Sequence, residues 1–266
     1  MSDSDAALDF SFDERVAIRY DALRGHPPDV SRQIGDWLAD LIPDDGLLLE
    51  PGVGTGRIAL PTARETCSVV GVDLSAEMLS ALASQVSPNL QLVRADLEVL
   101  PFCSDAFDAA VCVHVLHLVD AKRVLSDILR LVKPGGLIIL GRDWVSPDSF
   151  AGMLRNVFRR SVVEEAESVQ FPTGARGLVT ILTELGAEAV NGGEEQAAVE
   201  WQTSLSPQLV IDGMRSKDDA ESWVLPEELL ERVMAKVQIF AEAQWPELAA
   251  TQPVTRRFVY SSFRVR

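Results

Sequence analysis

Along the chain, short apolar runs alternate with stretches whose apolar residues recur at helical spacing. The runs LLLE (47–50), SVVGVDL (68–74), 90–95, FDAAVCV (107–113) and LIIL (137–140) are each bounded by glycine, proline or acidic positions. Continuous apolar runs of this length predict strands buried on both faces. Between them, Ile34, Trp37, Leu38 and Leu41 mark one face of a helix over 30–42, a further helix starts at about Arg57, another is capped by Ser75, and 121–132 reads as the helix before the fifth strand. Lys133, Pro134, Gly135 and Gly136 then form a stop and a turn, and Arg142, Asp143 and Trp144 leave the fifth strand. Strand–helix alternation of this kind predicts an α/β fold, a doubly wound and mostly parallel seven-stranded sheet that binds ligands at the carboxyl ends of its strands.

Outside that core the pattern is helical. Apolar positions over 14–23 suggest a first helix, and 149–168, 174–185, 207–215 and 226–244 give four more, with a sixth strand over about 197–203. The alternating end, 257–265, predicts a last strand that runs antiparallel at the far end of the sheet. The expected organisation is an N-terminal helical cap over 1–43 and one domain over 44–266, with helical insertions at about 145–170 and 205–250. The second insertion fits a lid, a packed helical hairpin or a homodimer surface equally well.

The chemistry concentrates at LLLEPGVGTGRIALP (47–61), where Glu50 and a proline lead into Gly52, Gly54 and Gly56. Glycine reaches backbone angles closed to other residues and has no side chain to hold a ligand away. The spacing is GxGxG rather than GxGxxG, and an anionic Glu50 beside a helix amino terminus would repel a pyrophosphate while tolerating ammonium or sulfonium charge. Asp73 ends the second strand, where a carboxylate can accept from both hydroxyls of a ribose. Leu74 follows it, and Glu77 and Met78 open the next helix. Asp96 and Leu97 end the third strand and suit an adenine edge; Asp96 equally suits a turn cap.

In their order, EPGVGTG, VVGVDLSAEML, RADLEVLPFCSDAFDAAVCVHVLHLV and LRLVKPGGLIIL, these segments resemble the class I S-adenosylmethionine-dependent methyltransferases over about 47–140. The third segment looks like the small-molecule branch that includes ubiquinone and menaquinone biosynthesis methyltransferases. Pro51 departs from the family pattern without removing a needed donor. The resemblance implies S-adenosylmethionine as cofactor, bound by Tyr20, Glu50, Gly52, Gly54, Gly56, Asp73, Leu74, Met78, Asp96, Leu97 and His114. It places the N-terminal helices across the cofactor, with Tyr20 and Arg24 closing over its methionine end. His114 then falls close to the transferred methyl, and His117 is suited to fixing its turn. His26, beside two prolines, reads as a loop histidine.

The chain of 266 residues is 47% hydrophobic with a net charge of -16, which argues against a nucleic-acid partner because phosphate contacts need clustered Lys and Arg. Arg155, Arg159 and Arg160 are followed at once by Glu164, Glu165 and Glu167, a solvated helix face. Three cysteines, Cys67, Cys103 and Cys112, suit reduced thiols, with Cys112 in the core, and no metal spacing is present. The acidic start and the lack of a membrane-length apolar run suggest a soluble cytoplasmic protein. The expectation is methyl transfer to a small-molecule acceptor by in-line displacement, with no residue assigned as catalytic. A regulatory S-adenosylmethionine-binding protein without turnover and a dinucleotide-dependent oxidoreductase are the alternatives.

Overall fold

The computed structural model describes residues 26–266 apart from 65, 66, 86, 167, 168, 170, 172, 218 and 219. Five parallel strands, β1 (Gly46–Pro51), β2 (Cys67–Asp73), β3 (Leu90–Arg94), β4 (Phe107–Val113) and β5 (Val132–Val145), lie in the order β3-β2-β1-β4-β5. The order reverses between β1 and β4, and a crevice opens there at the carboxyl ends.

Adjacent apolar residues of each strand point to opposite faces, and both faces are covered. Leu48, Val69, Ala109 and Ile139 pack under α1 (Pro28–Asp40), α2 (Ala59–Thr62) and α3 (Ala76–Ala83). Their neighbours Leu49, Val70, Ala110 and Ile138 pack under α4 (Ala121–Leu131) and α6 (Ala175–Glu184). Ser75 and Asp120 cap α3 and α4 by accepting from the N–H groups of Met78 and Arg123, each cap being worth about 1 kcal/mol.

A third cluster is formed mainly by helices and adjoins the sheet at Val254. Leu154 and Phe158 of α5 (Phe150–Glu165) meet Ile211 of α7 (Pro207–Arg215) and Leu230, Val233 and Val237 of α9 (Glu227–Gln244). A four-residue helix α8 (Ala220–Trp223) lies between α7 and α9 in the chain.

Four expectations change. The helix after the glycines is α2 alone, because Pro61 has no N–H to donate to the Arg57 carbonyl and the Arg64–Cys67 bridge returns the chain at once to β2. β5 does not stop at Leu140: β8 (Gln252–Arg264) pairs along it from Leu137 to Val145, so Arg142, Asp143 and Trp144 are strand residues. β8 is antiparallel as expected but interior, between β5 and the sixth-strand position. That position is filled by two pieces, β6 (Glu188–Ala189) and β7 (Gln196–Leu205), both paired to β8 and separated by a turn at Val190–Gly193 where Asn191 and Gly192 take positive φ. Among the described residues no helix is long and apolar enough to cross a membrane.

Candidate functional site

The turn after β1 is set by its glycines, with φ of +72° at Gly52, +52° at Gly54 and +82° at Gly56. The Val72 carbonyl accepts from both Gly52 N–H (2.7 Å) and Val53 N–H (2.9 Å), which anchors the turn on β2. The three positions differ in what surrounds them. A β-carbon at Gly52 would strike Val115, and one at Gly56 would strike Leu82, so both are glycine for the protein's own packing. A β-carbon at Gly54 would meet nothing within 4 Å. Only the middle glycine presents backbone to open space.

Asp73, at the end of β2, holds this turn. Its Oδ2 accepts from Gly54 N–H at 2.8 Å and its Oδ1 from Ser75 N–H at 2.9 Å. Each oxygen keeps a second lone pair for an outside donor. Beside it Leu74 is 62% exposed, and Val99 beyond β3 is 66% exposed. Asp96 is exposed, and its Oδ1 caps the turn Leu97–Val99 by accepting from Glu98 N–H. The cap alternative is thus realised, with Oδ2 left toward solvent. Met78 and Leu97 are buried beneath the rim rather than on it. Tyr20 and Arg24 lie outside the described residues.

Two buried acids flank the crevice and titrate in opposite directions. Glu50, at 4% exposure, is pushed up to about 8 by burial, which Arg57 and the Ala59 N–H only partly offset. Its Oε2 is buried without a hydrogen-bond partner among the described residues. Asp143 on β5 is also buried, which pushes its pKa up, yet His114, His26 and Arg57 together hold it well below the usual carboxylate range. His26 Nε2 lies 2.8 Å from Oδ1 and Arg57 donates to Oδ2 at 3.0 Å. Arg256 of β8 stands 3.7 Å from Oδ2. His114, at φ +53°, accepts the backbone N–H of Asp143 on its Nε2 at 3.3 Å, while that nitrogen is 3.8 Å from Oδ2 and too far for a hydrogen bond.

His26 lies in the loop before α1, as expected, but its side chain is not a free surface group. Its side chain is 1% exposed, edge-on to Trp201, and joins the start of α1 to β5. Sequence reasoning missed this hub of Asp143, His26, Arg57 and Arg256. The available signal was a charged pair, Arg142 and Asp143, continuing an apolar strand run.

Beyond the hub lies a cavity of about 570 Å³. His114 and His117 from the loop after β4, Trp144 from β5 and residues of α5 and α7 line it, so the helical layer forms one wall of the cavity. The Arg257 guanidinium stacks on the Trp144 ring at 4.8 Å. All three cysteines are free; Cys112 is buried and lines the cavity floor, its thiol pushed up to about 12 by burial and then by Glu50.

Residues 49–140 match a family described as a methyltransferase domain. An uncharacterized methyltransferase of Mycobacterium tuberculosis is 26% identical over 210 residues, covering 79% of this chain and 77% of that one. The ubiquinone/menaquinone biosynthesis C-methyltransferase UbiE of Geotalea daltonii is 30% identical over 105 residues, 36% of this chain and 45% of UbiE. The chain spans about half the length of most curated relatives it matches, 45 to 53%. Among solved structures, phosphoethanolamine N-methyltransferase 2 of Haemonchus contortus in complex with S-adenosyl-L-methionine superposes with a TM-score of 0.54 at 17% identity, over 96% of this chain and 58% of that one. That likeness is one of fold.

Proposed function

We propose that the chain, whose residues 49–140 match a methyltransferase domain, transfers a methyl group from S-adenosylmethionine to a small-molecule acceptor held in the cavity beside His114. The observation that carries this reading is the open backbone at Gly54, between a buried carboxyl with an orphaned oxygen at Glu50 and the ribose-type carboxylate of Asp73. These residues fit the cofactor. Gly54 admits close approach of a ligand, the spare lone pairs of Asp73 suit a vicinal diol, and the exposed Leu74 offers an apolar face to a base. The unpartnered Glu50 Oε2 offers a hydrogen-bond partner to the amino-acid end.

S-adenosylmethionine supplies an electrophilic sulfonium methyl that an acceptor nucleophile displaces in line. The chain's contribution is placement, which can lower such a barrier by about 7–11 kcal/mol. The cavity is of small-molecule size, within the roughly 300–1,000 Å³ range of ligand sites. Asp143 fixes Arg57, at the exit of the glycine turn, with its carboxylate and the ring of His114 with its backbone N–H. The insertions near 145–170 and 205–250 would close the acceptor side.

Calorimetric titration with S-adenosylmethionine, S-adenosylhomocysteine and NAD tests the reading. Micromolar binding of the first two and none of NAD is expected. Binding of NAD alone would overturn it in favour of a dinucleotide enzyme, and binding of none would remove the proposed site.

A further inference from the structure

The charged residues of the cavity wall are almost all matched to one another. Arg142 forks Glu195 with two bonds of 2.6 Å, and Arg159 grips Glu221 at 2.5 to 3.0 Å. Asp143 is held by His26 and Arg57. Arg155 is the exception: it lines the cavity and has no ion pair among the described residues. It sits one helical turn before Arg159 on α5, next to Asn156, which also lines the cavity. The other side of the same helix sends Leu154, Val157 and Phe158 into the helical core. Arg155 is thus an exposed side chain at the cavity wall, on the side of α5 opposite the helical core.

Charge and polarity point the same way. Four arginines, Arg142, Arg155, Arg159 and Arg256, line the cavity against three carboxylates, Asp143, Glu195 and Glu221, within a chain whose net charge is -16. A cationic excess in so acidic a protein is local to this wall. The apolar part of the lining is Val115, Leu116, Leu140, Leu209, Val210 and Met214, beside the polar His114, His117, Thr173 and Ser261. A guanidinium presents paired donors that match the oxygens of a carboxylate or phosphate.

We propose that the cavity receives an acceptor with an apolar body and one anionic group, a carboxylate or a phosphate, and that Arg155 takes the anion. This rests on the reading of the cavity as the acceptor site of a methyltransferase. Arg155 is then a specificity-determining residue rather than a catalytic one. Its cationic fork selects the charged end, and the apolar wall takes the rest.

The test uses the full chain saturated with S-adenosylhomocysteine and titrates three probes of one shape: 2-naphthoate, 2-naphthyl phosphate and the neutral 2-naphthamide. At least one anionic probe is expected to bind about tenfold or more tightly than the amide, and the two anionic arms show which group the site takes. Arg155→Gln should erase that preference without moving S-adenosylhomocysteine affinity or the unfolding midpoint, and Arg155→Glu should invert it. Equal binding of amide and anions, no binding of any probe, or a preference that survives Arg155→Gln would overturn the inference. Failure of S-adenosylhomocysteine to bind the unaltered protein would instead strike the methyltransferase reading itself.

Discussion

The carboxyl edge of β1 to β3 and the helical layer of α5, α7 and α9 are built on opposite terms. At the edge, polar groups are left with capacity to spare: Glu50 Oε2 is orphaned, Gly54 opens on empty space, and Asp73 and Asp96 each keep acceptor sites beyond their caps. In the helical layer the charges satisfy one another. Arg232 pairs with Glu165, Lys236 with Glu164 and Glu165, and Arg159 with Glu221. One region leaves polar capacity open, while the other pairs many of its charges internally.

The largest expected effect is at the joint between them. Asp143→Ala leaves His26, Arg57 and Arg256 around a missing charge, and removing one partner of a buried pair costs about 3–5 kcal/mol. Urea unfolding should show that loss, and a change below about 1 kcal/mol would mean the hub does not couple the two regions.

Glu50 gives the next effect, on pH dependence. Its folded pKa of about 8 lies above its ordinary value of 4.5, so the folded protein holds a proton that the unfolded chain releases between those values. The stability this contributes is complete below about pH 4.5 and is lost as pH rises through about 8, on the order of a few kcal/mol. Glu50→Gln should therefore be near neutral at pH 5 and relatively stabilising at pH 8. An unfolding series in which both proteins lose stability in parallel over that range would contradict a protonated Glu50.

The glycines separate packing from binding. Gly52→Ala and Gly54→Ala share a positive-φ penalty of about 1–2 kcal/mol, but only the first drives a methyl into Val115, adding about 1–3 kcal/mol. Gly54→Ala should keep most of its thermal stability and lose S-adenosylhomocysteine affinity. The reverse order of stabilities would show that the open face is at Gly52 instead. Smallest of all, Glu195→Gln, which breaks a half-exposed pair with Arg142, should shift unfolding by no more than about 1 kcal/mol, and a larger loss would blur the contrast between the regions.

The same contrast decides what the sequence disclosed. β4 (Phe107–Val113) and α7 (Pro207–Arg215) fall at their expected bounds because apolar period and capping are local properties. The acids at the strand ends were legible for the same reason, since a ligand-shaped edge concentrates its chemistry in contiguous motifs. The hub was not, because His26, Arg57, Asp143 and Arg256 are brought together only by the pairing of β5 with β8 and by the docking of α1. Pro61 shortened a helix that periodicity alone extends, and beyond the break at Asn191 and Gly192 the expected strand at 197–203 appears as β7, with the two-residue β6 as an added piece before it.

Asp73 bears most directly on the claim that the acidic edge is the donor site. Asp73→Asn keeps an oxygen for one of its two backbone donors, so folding should survive and can be verified by circular dichroism. Calorimetry should then show S-adenosylhomocysteine bound weaker than to the unaltered protein by about 1.5–3 kcal/mol, the range for a hydrogen bond to a charged group. Unchanged affinity in a folded Asp73→Asn protein would place the nucleoside elsewhere and contradict the assignment of this edge.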